Sequence, residues 1–375
     1  MRSRSFHGRL LAAWLAALLL LTVSTGCARL GCSPAKKPLG GGASGRLEVM
    51  AFYENGDTSG TSGAQGPGDN EQTFVDSFPA LKDNAASIDI VTPFWFSVGG
   101  DGSVTTAKPV SEVQDFAKKN KVQVWALVNN AKPGDQVAGA VLTDPTARAN
   151  AIKNIEGIAD KYGYDGIFID FQLIPPKSGP QLTAMVRQLA KDLHAKKKKL
   201  GVALFPKIDV SPDVSGAYDY AALGKEADAV LLMAYDRHYE SSPPGPVSPL
   251  PWVETNLKST LKSVPAKKVL LAIGTYGYDW PAGGNGEYLA TRVALNRAKA
   301  NGATVKRDSA SGQPYFTYTK DGLAHEVWFQ DAEAFRQRAA LAKKYKLRGV
   351  GVWRLGFEEP GFWKVIAEAI GAAKK

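Results

Sequence analysis

Cysteine is nearly absent from this 375-residue chain. The two present, Cys27 and Cys32, lie near the N-terminus. The remainder can therefore carry neither a disulfide framework nor a thiolate metal site. Histidine is scarce too: there are four, one of them at position 7, too few for a His-rich metal centre. No metal and no organic cofactor is expected. Acids are outnumbered, 36 against 46 Lys and Arg, for a formal charge of +10. The basic residues are scattered apart from KKKK at 196–199, which reads as a solvated helix end that suits the dipole. Nucleic-acid binding would want clustered basic residues with aromatics among them, so no nucleic-acid partner is expected.

Long apolar runs are missing except at the start. Arg2, Arg4 and Arg9 precede a 14-residue apolar stretch, Leu10 to Val23, followed by small residues and Cys27. A basic opening, a short apolar core and small residues before a cleavage point predict an export signal over 1–26, too short for a comfortable membrane span. The small-Gly-Cys ending resembles a bacterial lipoprotein signal, with Cys27 lipidated as a membrane anchor. Ser24 stands where such signals usually carry Leu, and the alternative is ordinary secretion with Cys27 an incidental thiol. Removing 1–26 takes three arginines and no acid, which leaves +7. That suits an anionic cell envelope. Residues 27–45 are rich in Pro, Gly, Ser and Lys and read as a flexible tether.

From 46 onward short apolar runs alternate with helical patterns. Strands are expected at 46–53, 88–96, 122–129, 166–171, 200–206, 229–235, 269–276 and 349–355. Their near-continuous hydrophobicity suits parallel strands buried on both faces. Helical spacing recurs between them, as in 144–163 and 180–199, and Ser111 with Gln114 three residues on predicts a capping box. Eight such units predict an α/β fold of the (β/α)8 barrel type over 46–375. Two stretches break the rhythm: a polar loop at 54–71, and residues 281–328, which predict a small α+β insertion after strand 7.

Barrel active sites are built from the C-terminal ends of strands. Those ends offer Glu54, Trp95, Asn129, Asn130, Asp170, Gln172, Tyr235, Asp236, Tyr276, Tyr278, Trp280 and Trp353. This rim is rich in aromatics and poor in charge, which suits sugar rings with their apolar faces and hydroxyl edges. Period-2 alternation puts Phe168, Asp170 and Gln172 on the inner side of strand 4, with Ile167, Ile169 and Phe171 toward the helices.

YDGIFIDFQ at 164–172 resembles the strand-4 signature of glycoside hydrolase family 18. LLMAYDRHY (231–239), GPVSPLPWVETNLK (245–258), PYFTYTKDGLAHEVWFQDAEAF (314–335) and GVGVWRLG (349–356) resemble the branch of bacterial spore-cortex and cell-wall glycosylases. The resemblance implies substrate-assisted cleavage of a polymer containing N-acetylglucosamine, peptidoglycan ahead of chitin. Asp170 would orient the acetamide and Tyr235 would hydrogen-bond it. Trp353 would floor the sugar, and Asp165 and Asp236 match further acids of the family pattern. Met233 and, from the strand ends, Tyr276, Trp95 and Asn130 are expected to help hold the glycan. A monomer is expected.

The family's general acid is Glu, and here the position holds Gln172. An amide donates a hydrogen bond but no proton, and general acid–base catalysis is worth ~10²–10⁴-fold. Phe168 replaces a further polar group, which should raise the Asp170 pKa by desolvation. Three readings follow. The preferred one is a glycan-binding protein with lost or weakened hydrolysis. The second is a hydrolase using Glu54, Asp236, Asp279, Glu358 or Glu359 as the acid. The third is a protein-interaction barrel with no affinity for saccharides.

Overall fold

Eight parallel strands close on themselves. The computed structural model describes residues 45–56, 75–106, 109–130 and 136–371. The expected signal, Cys27, nearly all of the tether and most of the 54–71 loop lie outside these residues. The barrel strands are β1 (Glu48–Tyr53), β2 (Ile90–Val98), β3 (Gln123–Asn130), β4 (Gly166–Asp170), β5 (Lys199–Leu204), β6 (Ala229–Leu232), β7 (Val269–Gly274) and β8 (Gly349–Trp353). Each pairs in parallel with its neighbours in chain order, and β8 returns to β1. All eight apolar runs of the sequence form strands. Among the described residues no helix is long and apolar enough to cross a membrane.

Alternation divides the core in two. Met50, Phe52, Ile90, Trp125, Leu127, Phe168 and Leu231 fill the barrel interior. Val49, Ala51, Val91, Val128, Ile167, Ile169 and Phe171 pack outward against the helices. The interior closes only because large residues meet small ones, as jigsaw packing requires. A Cβ at Gly201 would lie 2.4 Å from the Phe168 ring, and one at Gly351 would lie 2.4 Å from Leu231 Cδ1.

Carboxylates tie the barrel floor. Asp89, Asp165 and Asp228 each precede an even-numbered strand and accept the backbone N–H of the strand before it. The acceptor distances are 2.9 Å from Val49, 2.8 Å from Val124 and 2.9 Å from Leu200. At the corresponding place before β8, Arg348 pairs with Glu48 at 2.7 Å. The lysine run is structural as well: Lys196 reaches Asp160, Lys198 reaches the Ala159 and Tyr164 carbonyls, and Lys199 reaches Asp228.

The expected capping box does not form. The helix Ser111–Lys119 has no side-chain cap, and Gln114 donates instead to the Tyr164 hydroxyl at 3.1 Å. Helix Pro145–Lys161 is capped, by Asp144 accepting from Thr146 and Ala147. The insertion is a five-stranded antiparallel sheet with the helix Thr291–Ala300 packed on it. Its strands are Tyr276–Pro281, Glu287–Ala290, Lys306–Arg307, Pro314–Lys320 and Leu323–Phe329. The sheet thus begins at Tyr276 rather than at 281: one residue after Gly274, the chain leaves the barrel and pairs antiparallel with Leu323–Phe329.

Candidate active site

A cavity of about 160 Å³ opens at the C-terminal end of the strands. β4 and its continuation supply Asp170 and Gln172, and the chain leaving β6 supplies Met233, Tyr235 and Asp236. The inserted sheet contributes Tyr276 and Tyr288, and β8 contributes Trp353. Phe52, Phe205 and Leu231 complete the lining.

Gln172 and Asp170 stand together because they share the inward side of one strand. The Gln172 Nε2 lies 3.0 Å from both Asp170 oxygens. A carboxylate only accepts, so the amide must turn its nitrogen to Asp170 and its carbonyl away. Burial pushes the Asp170 carboxyl up to about 6, opposed in part by the Gln172 hydrogen bond. The direction follows the desolvation expected from Phe168, which is fully buried beneath it.

The Gln172 backbone is clamped. Its N–H donates to Asn130 Oδ1 at 2.7 Å, and its carbonyl accepts from Asn130 Nδ2 at 2.8 Å. The next residue, Leu173, turns into the left-handed region at φ 51°. The Tyr218 hydroxyl donates to the Phe171 carbonyl at 2.6 Å, which fixes the preceding peptide.

Asp236 is the second acid of the cavity. Its backbone is left-handed, φ 56°, a conformation that Asp tolerates better than most residues. Its Oδ1 accepts from Tyr276 at 2.6 Å and from Tyr278 at 3.1 Å. Burial nonetheless pushes it up to about 6. Tyr235 is raised well above the usual phenol range, by burial first and then by the charges of Asp170 and Asp236. It is held as a neutral phenol that can donate. Trp353 packs against Phe52, ring centres 5.2 Å apart, and edge-on to Phe94 at 6.2 Å.

Seven of the expected residues meet here: Asp170, Gln172, Met233, Tyr235, Asp236, Tyr276 and Trp353. Three do not. Trp95 is 1% exposed and faces outward, against Tyr53 and Tyr164, with its indole N–H on Asn55. Asn130 has outward parity and spends its amide on the Gln172 backbone. Asn129, one residue earlier, has the inward parity, sits opposite Asp170 in register, and leaves its buried Oδ1 without a donor among the described residues. Asp165 lies at the other end of the barrel, in the floor ties described above.

Among the proposed substitute acids only Asp236 reaches the cavity. Glu54 pairs with Arg354 at 3.1 Å. Asp279 is enclosed by Arg297, Tyr318 and His325. Glu358 accepts from the Trp363 indole, and Glu359 accepts from the Ala332 N–H at the start of a helix. Phe52, Phe205, Leu231 and Tyr288 were not anticipated. Phe52 and Leu231 share inward parity with Met50 and Met233, a signal present in the sequence. Among the described residues no group of three or more His, Cys, Asp or Glu side chains is placed to hold a metal ion.

The sequence profile of Glycosyl hydrolases family 18 matches residues 49–358. The cortical fragment-lytic enzyme of Bacillus subtilis is 28% identical over 293 residues, covering 75% of this chain and 68% of that protein. The spore cortex-lytic enzyme SleL of Bacillus megaterium superposes with a TM-score of 0.75 at 26% identity, covering 88% of this chain and 76% of that one. A chitinase from Chromobacterium violaceum gives a TM-score of 0.76 at 28% identity, covering 87% and 99%.

Proposed function

Because the chain belongs to glycosyl hydrolases family 18, we propose that it recognises an N-acetylglucosamine-containing polysaccharide of the cell envelope, with hydrolysis lost or weakened. Peptidoglycan stands ahead of chitin because spore-cortex-lytic enzymes are among its relatives. The observation that carries the reading is the state of Gln172. An aromatic and acidic cavity surrounds it, yet at the position of the family's acid there is an amide whose nitrogen is turned to Asp170. Such a group cannot protonate a departing sugar oxygen. In this reading Asp170 and Tyr235 orient the acetamide, and Trp353 is the floor beneath the sugar. The protein is exported, held at the membrane through lipidated Cys27, and acts as a monomer.

One observation favours a second reading, slow hydrolysis with Asp236 as the acid: it is the remaining carboxyl group of the cavity, and burial holds it at about 6.

The test is a matched pair, the wild type and Gln172→Glu, assayed for binding to purified peptidoglycan and chitin and for release of reducing ends. The expected result is binding without cleavage by the wild type and gained cleavage by the variant. Cleavage by the wild type would overturn the binding reading. Failure of both proteins to bind or cut would overturn glycan recognition itself.

A further inference from the structure

Basic residues that are scattered along the sequence gather at one end of the fold. Seven helices run back to the barrel floor, and each hands the chain to the next strand there. From the last four helical residues to the first strand residue, these returns are 81–90, 116–123, 158–166, 192–199, 223–229, 257–269 and 341–349. They hold 18 Lys and Arg against 7 Asp and Glu, a net +11, while the whole chain is +10. The excess of positive charge therefore lies on the floor. Fourteen of its lysines are exposed, but only three of its acids, Asp83, Asp160 and Asp165.

Helix dipoles account for part of this, since a helix C-terminus favours cations. They do not account for the residue after the cap. Lys121, Lys197 and Lys346 take that position in the left-handed region, at φ 57°, 59° and 53°. Gly163 fills the same place after its own helix at φ 66°, and glycine adopts that conformation without strain. Three lysines thus stand where glycine would be easier, all on one face. The domain is also entered there. The Leu47 N–H donates to the Ile370 carbonyl at 3.0 Å, and Arg46 pairs with Asp89 at 2.7 Å. The segment before Gly45, with its apolar stretch Leu10 to Val23 and Cys27, joins the domain at its lysine-rich end.

We propose that the barrel floor docks on an anionic lipid surface and so turns the cavity mouth away from the membrane. The inference rests on the reading that the chain is exported and held at a membrane, but it does not need lipidation of Cys27. Charge complementarity selects the partner: clusters of roughly four to eight basic residues beside a membrane attachment bind anionic headgroups. A dissolved polyanion would meet the same charge, but it gives no reason for the attachment to enter at that face. Strands of about six residues at ~3.3 Å each would hold the mouth roughly 20 Å above the headgroups. A glycan lying over the membrane would then meet the cavity rather than the floor.

The experiment uses the full chain with its own N-terminal segment, mixed with vesicles of phosphatidylcholine alone or with about 40% phosphatidylglycerol. Lysine acetylation, read peptide by peptide by mass spectrometry, reports which face is covered. On the anionic vesicles at about 0.1 M salt, Lys118, Lys225 and Lys262 should react at least roughly threefold more slowly than on neutral ones. Lys177, Lys207 and Lys364, which follow strand ends at the mouth, should be unchanged. At about 0.5 M salt the difference should vanish. It should also vanish when Lys119→Gln, Lys197→Gln, Lys267→Gln and Lys346→Gln are combined. These four are exposed and form no ion pair among the described residues. If that variant fails to fold, the wild-type salt series carries the test. Attachment to neutral vesicles reads the membrane anchor by itself, so its loss would remove the anchoring reading and leave the docking comparison intact. Equal protection of floor and mouth, or the same floor protection on neutral lipid, overturns the inference. Protection by dissolved polyphosphate but not by anionic vesicles also overturns it and assigns the face to a soluble polyanion.

Discussion

The amide nitrogen of Gln172 stands 3.0 Å from each carboxylate oxygen of Asp170. The contact fixes which way the amide points and partly offsets the desolvation of the buried acid. Gln172→Leu removes the donor and keeps much of the volume. The Asp170 titration should move upward from about 6, because desolvation is then unopposed. Carboxyl-carbon NMR across the pH range would read it. A downward move would mean that Asp170 gains water when the amide is lost.

Two carboxyls raised to about 6 make the fold sensitive to pH in a definite direction. For Asp236 the unfolded value is near 3.8 and the folded value about 6. The folded chain therefore binds the proton more tightly, and stability falls as pH rises from about 4 to about 6. The two-unit shift corresponds to at most about 3 kcal/mol at neutral pH. Asp236→Asn keeps an acceptor for Tyr276 and Tyr278 and has no charge to desolvate. Its melting temperature should exceed that of the wild type at pH 7.5, with the gain gone at pH 4. An equal offset at both values would refute the desolvation argument.

The eight strands were legible because a parallel strand buried on both faces is a run of apolar residues. The pairing of Asp170 with Gln172 was legible because strand periodicity is two. Trp95 and Asn130 were misplaced by a different shortcut, in which nearness to a strand's C-terminal end stood for facing the cavity. Parity decides that question, and it separates Asn129 from Asn130 within one residue. Asp165 came from the signature rather than from geometry, and the signature spans both ends of β4. Tyr288 could not be read from the sequence at all. It reaches the cavity because the inserted sheet folds back over the mouth, and packing, not periodicity, sets that position.

Asn130 should matter for a reason other than sugar contact. Its amide makes two hydrogen bonds to the Gln172 backbone while 2% exposed. Asn130→Ala leaves the half-buried N–H and carbonyl of Gln172 without these partners, which costs about 1–3 kcal/mol. Urea denaturation would measure the loss, and glycan affinity should fall because the end of β4 is freed. Asn130→Asp keeps the acceptor and loses the donor, so it should land between the two. A stable Asn130→Ala protein that has lost only binding would instead make Asn130 a direct ligand.

Trp95 gives the converse case. It lies among outward-facing side chains, with ring centres 5.9 Å from Tyr53 and 6.3 Å from Tyr164. Trp95→Phe removes the hydrogen bond to Asn55 and some packing volume, for a cost of about 1–2 kcal/mol. Glycan binding by the folded protein should be unchanged, because the ring does not reach the cavity. Trp353→Ala should do the opposite, weakening binding strongly, since that ring is part of the lining. Measured side by side by denaturation and by calorimetric titration, the two tryptophans separate folding from recognition. If Trp95→Phe lost binding without losing stability, the outward placement of that ring would be wrong.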